Sequence, residues 1–289
     1  MRGVCLPIVT PFFKGELDLE SYRSLVQHYV ECGVSALIPL GTTGEAPTVE
    51  DAECQAIVQA TVEAAAARVT ILVGVSANST HKALKTIASL ERFPVDGYLV
   101  TSPYYNLPSQ QGIFEHFRAV SGATERQVFV YNIPYRTGRN IENETILRIA
   151  ALPHIAGIKD SCGSIAQSLE LLRHRPAGFS VLTGEDALFY VNVACGGDGG
   201  VLAAAHLTTR RFLEVFRHAQ ANDLRAARKE WEGFCDHIPL LFKEPNPGPV
   251  KYVLFRKGLI RSEEVRLPLA PISAELKRKL DALVEEGAV

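Results

Sequence analysis

Eight short runs of apolar and β-branched residues recur along the chain: GVCLPIV (3–9), VSALIPL (34–40), VTILVG (69–74), VDGYLV (95–100), QVFVY (127–131), IAGIK (155–159), SVLTG (180–184) and GGVLAA (199–204). Most are continuous rather than alternating, the pattern of parallel strands covered on both faces. Amphipathic helical patterns lie between them, such as LESYRSLVQHYVECG (19–33) and VEDAECQAIVQATVEAAAA (49–67). Through most of the chain the run ends fall ~30 residues apart, one βα unit each. Eight such units predict an α/β fold, a (β/α)8 TIM barrel. A doubly wound sheet would carry a Gly-rich nucleotide turn after its first strand; here the first run leads into Thr10-Pro11-Phe12-Phe13. After residue 222 the strand pattern stops and helical patterns take over at 223–242, 249–258 and 273–287, punctuated by the Pro-rich turn EPNPGP (244–249). The expected organisation is a catalytic barrel over 1–222 and a C-terminal helical appendage over 223–289.

Such a barrel occupies ~250 residues, and this chain has 289. A formal net charge of −2 argues against nucleic acid or an anionic membrane as a partner, since both reward a basic face. The six cysteines are scattered without a C-x-x-C spacing, which fits a reducing compartment. The N-terminal MRGVCLPIVTPF is too short and too Pro-interrupted for a signal peptide. No segment approaches the ~18 apolar residues that span a bilayer. The expectation is a soluble, cytoplasmic protein.

In a parallel barrel, catalytic groups come from the carboxyl ends of the strands. Those ends read GTTGE (41–45), TSPYYN (101–106), YNIPYRTG (131–138), Lys159, GED (184–186) and GGDGG (196–200). Lysine, tyrosines, threonines and an arginine thus converge on one rim, with no metal-ligand cluster. A lone lysine closing a strand is by default a solvated strand end. Among other polar strand ends, Lys159 reads instead as a desolvated amine, and desolvation disfavours the charged form. A neutral amine attacks a ketone to form a Schiff base. Strand alternation puts Gly157 and Ile155 on its face, and Phe129 on that of Tyr131. Alone, Tyr131 is as well read as a core tyrosine, and Arg136 as a helix cap or an acid's partner. On the rim a guanidinium suits a carboxylate. The glycines of GTTGE and GGDGG serve turns or open the backbone to an anion. Cys162 reads as an inert buried thiol. No G-x-S-x-G, H-E-x-x-H or G-x-G-x-x-G motif is present.

These residues, in this order, resemble the dihydrodipicolinate synthase and N-acetylneuraminate lyase family of pyruvate-dependent class I aldolases. The resemblance runs from GVCLPIVTPF through GTTGE, YYNLPSQQG, YNIPYRTG, GIKDSCG and GED to EPNPGPVK and RLPLAPIS. GTTGE, the arginine of YNIPYRTG and EPNPGPVK are similar to the synthase branch. The resemblance implies that Lys159 forms the Schiff base with pyruvate and that Tyr131 shuttles protons. Thr43 and Tyr105 would complete the relay, Tyr105 reaching in from a neighbouring subunit. Thr42 and Thr43 would hold the pyruvate carboxylate, and Arg136 that of aspartate semialdehyde. Gly184 and Val201 would line the pocket through their backbones. No metal or organic cofactor is implied, and the assembly would be a homotetramer built from dimers.

Two positions depart from the family pattern. Tyr135 stands where many synthases carry a small residue, which reshapes the second-substrate pocket. At positions matching the lysine feedback site the chain has Asp51, Cys54 and Lys82, beside Asn78 and Tyr104. Lys82 would put a cation where the inhibitor's ammonium should sit, so lysine should inhibit weakly or not at all. Two alternatives stay open: another pyruvate aldolase, acting on a 2-keto-3-deoxy sugar acid or 4-hydroxy-2-oxoglutarate, or a catalytically idle ligand-binding member.

Overall fold

The structure, a computed structural model, describes residues 1–287 and 289. Beside a short antiparallel ribbon of Phe12–Phe13 with Glu16–Leu17, eight barrel strands follow among the described residues: β1 (Gly3–Leu6), β2 (Ala36–Leu37), β3 (Thr70–Val75), β4 (Gly97–Thr101), β5 (Gln127–Asn132), β6 (Ile155–Asp160), β7 (Ser180–Thr183) and β8 (Gly199–Val201). They close into a barrel in the order β1-β8-β7-β6-β5-β4-β3-β2, with parallel pairing and helices in the crossovers. The (β/α)8 expectation is borne out. No helix among the described residues is long and apolar enough to cross a membrane.

Several strands are shorter than their apolar runs. β1 stops at Leu6 because Pro7 offers no N–H to a ladder, and β2 ends ahead of Pro39 and a left-handed Leu40 (φ 57°). The helix Leu19–Cys32 starts where the Asp18 side chain accepts from Ser21 N, and ends at a left-handed Gly33 (φ 90°). The pattern at 223–242 is not one helix. An α-helix covers Leu224–Glu232, and the 3-10 segment Cys235–Phe242 follows. Gly233 and Pro239 account for the break, the second by lacking a donor. The helices Gly248–Arg256 and Ala274–Glu285 then close the chain.

The chain divides into two compact units, Met1–Gly3 with Leu72–Val201, and Val4–Ile71 with Leu202–Val289. In the first, β4 to β7 form its ladder and bury Phe129, Val130, Ile158, Val181 and Leu182. In the second, Phe212, Trp231 and Phe234 stack edge to face, with centroids 4.9–6.0 Å apart. The same unit buries His206, which bonds the Ala203 carbonyl through Nδ1 and accepts from Val9 N through Nε2. Those partners fix the neutral tautomer, and burial pushes its pKa down to about 4.

Candidate active site

In the first unit, parallel register pairs Tyr131 of β5 with Lys159 of β6, and Lys159 with Leu182 of β7. Paired residues of adjacent strands share a face, so the amine and the phenol belong to one surface. Lys159 Nζ lies 4.2 Å from the centre of the Tyr131 ring. Two glycines make the space. A Cβ at Gly184 would fall 2.6 Å from Lys159 Cε, and one at Gly157 would meet the Phe129 ring at 2.6 Å. Both contacts are shorter than real side chains tolerate, which ties these glycines to the lysine stem and to its neighbouring strand.

Lys159 is 6% exposed, and among the described residues no carboxylate oxygen lies within ion-pair distance of its nitrogen. Burial pushes its pKa down to about 8; Asp186, Tyr135 and Glu185 pull it back up, and Arg136 pushes it further down. Glu185 responds in kind. Its carboxyl is held above the usual range, first by burial and against the attraction of Lys159. Arg136 and Tyr135 stand on the short helix Pro134–Thr137 directly after β5, with the guanidinium carbon 5.5 Å from the Tyr135 ring centre. Both side chains are exposed.

The opposite face of the same strand ends carries a hydrogen-bonded lattice. Buried Asn132 donates to Asn140 Oδ1 (3.0 Å) and Asp160 Oδ1 (3.3 Å), and accepts from Ile141 N. Ser168 donates to Asp160 Oδ2 at 2.6 Å. Asn132 and Asp160 directly follow Tyr131 and Lys159, respectively, in sequence, so the lattice fixes both strand ends from behind. Cys162 donates to the same Asp160 carboxylate, and burial raises its thiol pKa. It is half-buried rather than fully buried, and its contacts tie it to the Asp160 lattice.

In the second unit, GTTGE forms two overlapping turns: Gly44 N donates to Gly41 O and Glu45 N to Thr42 O, each at 3.1 Å. Thr42 and Thr43 are therefore turn residues presented by the end of β2. Glu45 takes a left-handed conformation (φ 54°), which costs a residue with a Cβ about 1–2 kcal/mol. Its carboxylate, 0% exposed, accepts from Lys251 Nζ at 2.6 Å and from Arg266 N at 3.0 Å. Lys251 also donates to the Glu264 carbonyl at 2.6 Å. The Arg266 guanidinium pairs bidentately with Glu53. The Phe12 ring is in reach of both cations, its centre 4.3 Å from Lys251 Nζ and 4.1 Å from Arg266 Cζ. Asn246 donates to Thr43 Oγ1 at 2.9 Å.

The remaining expected residues are placed as follows. Val201 closes β8 and is buried. Tyr105 is 84% exposed with φ 71°, so the structure does not gather it onto the Lys159 amine of its own chain. Asp51 and Cys54 lie on the helix Asp51–Ala65, where burial and the nearby Asp51 and Glu53 raise the Cys54 thiol to about 11. In the other unit Asn78 accepts from Asn106 through its carbonyl, Lys82 is exposed on the helix Thr80–Leu90, and Tyr104 is 36% exposed.

Reading the chain by strand ends listed GED without giving Glu185 or Asp186 a role, and missed Asn246 and the Glu45–Lys251 pair. The signals were there: acids inside GED, and a lysine embedded among apolar residues in PVKYVLF. No group of three or more potential metal ligands is formed among the described residues.

The model of the dihydrodipicolinate synthetase family matches residues 1–287. A 4-hydroxy-tetrahydrodipicolinate synthase of Clostridium acetobutylicum is 50% identical over 97% of this chain and 98% of its own length. Among solved structures, dihydrodipicolinate synthase from Thermotoga maritima superposes with a TM-score of 0.96 at 38% identity, covering 100% of this chain and 99% of that one. The Acinetobacter baumannii dihydrodipicolinate synthase, described as chloride-inhibited and complexed with pyruvate, superposes at 0.96 with 33% identity over 100% of this chain and 99% of the other. With a buried amine at the end of β6 and relatives of this closeness along its full length, the chain belongs to the dihydrodipicolinate synthetase family.

Proposed function

We propose that the protein is a Schiff-base-forming lyase that condenses pyruvate with L-aspartate 4-semialdehyde to 4-hydroxy-tetrahydrodipicolinate, a step of diaminopimelate and lysine biosynthesis. The observation that carries this reading is the Lys159 amine, buried, unpaired by carboxylate and seated over Tyr131. With a pKa of about 8, about a tenth of it is neutral at pH 7, against fewer than about one in a thousand for an ordinary lysine. The relatives' names, 4-hydroxy-tetrahydrodipicolinate synthase, support the product, and the pyruvate complex of the Acinetobacter protein supports the keto acid.

The chemistry follows from the amine. Lys159 adds to the pyruvate ketone and water leaves, giving an imine. The imine draws electrons from the methyl group, whose proton is lost to give an enamine. The enamine carbon bonds to the aldehyde carbon, and the new alkoxide takes a proton. The substrate's own amine then attacks the imine, closing the ring and returning Lys159. Every step moves a proton, which is the task assigned to Tyr131, Thr43 and Tyr105. Turn N–H groups and hydroxyls of Thr42 and Thr43 hold the pyruvate carboxylate, and exposed Arg136 receives that of the semialdehyde. Gly184 and Val201 line the pocket, Gly184 by leaving room for the lysine stem.

Exposed Tyr105 supports an assembly in which each subunit lends this ring to its neighbour, a homotetramer of dimers in the cytoplasm. Lys82, a position matched to the family's lysine site as are Asp51, Cys54, Asn78 and Tyr104, is exposed and as a cation supports weak or absent inhibition by lysine; clear inhibition below millimolar lysine would reverse that. Tyr135, 70% exposed beside Arg136, favours a second reading, a pyruvate aldolase taking a different aldehyde. A coupled assay with pyruvate and each aldehyde separates the two. Turnover with aspartate semialdehyde is expected; turnover with 2-keto-3-deoxy sugar acids or 4-hydroxy-2-oxoglutarate alone overturns the synthase reading.

A further inference from the structure

Arg136 rides on an excursion of the chain that leaves β5 at Asn132 and is brought back to the same residue at Ile141. The helix Pro134–Thr137 within it is a single turn, too short to hold its own shape in water. The Asn132 side chain closes the excursion. Its Oδ1 accepts from Ile141 N at 3.1 Å, and its Nδ2 donates to Asn140 Oδ1 at 3.0 Å. A backbone N–H can only donate, so it settles which way the Asn132 amide faces, and through it the Asn140 amide. Asn140 Nδ2 then donates to Gln167 Oε1 at 2.8 Å, and Gln167 Nε2 to the Ile141 carbonyl at 2.9 Å.

Asn140 is the node of this clasp. Its side chain joins Asn132 to the helix Ile165–His174, and its carbonyl accepts from Gln110 Nε2 at 2.8 Å, on the helix Gln110–Ser121. Asn132 has little freedom to follow a change there: it is 0% exposed, and it also donates to Asp160. We infer that Asn140 is a positioning residue for the second substrate: by closing the clasp with Asn132 it fixes the base from which the Arg136 guanidinium reaches a carboxylate. The inference rests on the reading of Arg136 as the receptor of the semialdehyde's carboxylate. A displacement of about 1 Å in a substrate-positioning group can cost as much as about 10²-fold, so a clasp this far from the amine can still govern the rate.

A double-mutant cycle tests it on the full-length enzyme, with kcat/KM for aspartate semialdehyde measured at saturating pyruvate in Arg136 and Arg136→Ala chains, each with and without Asn140→Ala. Asn140→Ala is expected to lower kcat/KM about tenfold or more when Arg136 is present, and less than about twofold further in the Arg136→Ala background. Borohydride trapping of pyruvate at Lys159 should proceed at the parent rate within about twofold, because the clasp serves the other substrate. Asn140→Asp keeps the acceptor that faces Asn132 and should come back to within about threefold of the parent. Asn140→Ser, too short to reach Asn132, carries the cycle if the alanine chain does not unfold at the parent's midpoint. Trapping that falls as far as kcat/KM assigns Asn140 a general structural role and overturns the inference. So do equal losses in both backgrounds, an aspartate chain as poor as the alanine one, or an unchanged kcat/KM in the Arg136 chain. An Arg136→Ala chain that keeps full kcat/KM removes the reading of Arg136 itself, and the inference with it.

Discussion

The chain buries two strand- or helix-borne lysines in different ways. Lys251, 0% exposed, donates to the Glu45 carboxylate and the Glu264 carbonyl, each at 2.6 Å. Lys159, 6% exposed, has an aromatic face 4.2 Å away and carboxyl groups only at longer range. Burial pushes both amines below the ordinary lysine range. At Lys251 the adjacent carboxylate opposes that push and keeps a proton in the contact, so the nitrogen serves as a tie. At Lys159 nothing opposes it at contact distance, so the lone pair is available to a carbonyl carbon. Desolvation makes a nucleophile only where no counter-ion is supplied with it.

The largest effect should come from deleting the unpaired amine. Lys159→Ala is expected to lower turnover by at least about four orders of magnitude in the coupled assay, with an unfolding midpoint close to that of the parent. A variant that retains turnover breaks the contrast outright. At the paired amine the loss should be one of stability. Glu45→Ala leaves a buried ammonium without its partner and should cost about 3–5 kcal/mol in denaturant unfolding. Replacing both members, Glu45→Leu with Lys251→Met, should recover part of that. If Lys251→Met alone unfolds no more easily than the parent, the tie is not structural.

Acid should weaken both units through a third kind of buried base. His206 and His116 are each held to about 4 by burial, against about 6.5 unfolded. A neutral buried histidine stabilises the fold above the unfolded value, and that stability is lost as pH falls from 6.5 towards 4. The limit is about 3 kcal/mol per residue, read as a falling unfolding midpoint. His206→Gln should flatten that slope. The smallest effect tunes the lysine itself. Imine formation with pyruvate should rise about tenfold per pH unit below the amine's pKa of about 8 and level off above it. Glu185 is one of the groups holding that pKa up, so Glu185→Gln should move the edge to lower pH; an unmoved or raised edge shows that its charge does not reach the amine.

Periodicity made the barrel legible. Continuous apolar runs gave parallel strands, and the strand-end rule then singled out Lys159, Tyr131, Arg136 and the GTTGE turn without any coordinates. Strand and helix limits were less legible, because Pro7, Pro39 and Pro239 interrupt hydrogen bonding without changing hydrophobicity. The supports of the site were invisible for a different reason. Glu45 meets Lys251 across 206 residues of sequence and Asn246 meets Thr43 across 203, and no local pattern encodes such a pairing. A lysine set among valine, tyrosine and leucine hinted that it was buried, though not what it would pair with. Tyr105 stood among the strand ends in TSPYYN, but a role across subunits came only from the resemblance, because no local pattern encodes a neighbouring chain.

Borohydride reduction of the protein in the presence of pyruvate, followed by peptide mass mapping, separates the two lysines in one experiment. The account predicts a reduced pyruvate adduct at Lys159, absent from Lys251, and accumulating faster as pH rises towards 8. Adduct at Lys251 instead, or no adduct in a folded protein at any pH, would contradict it.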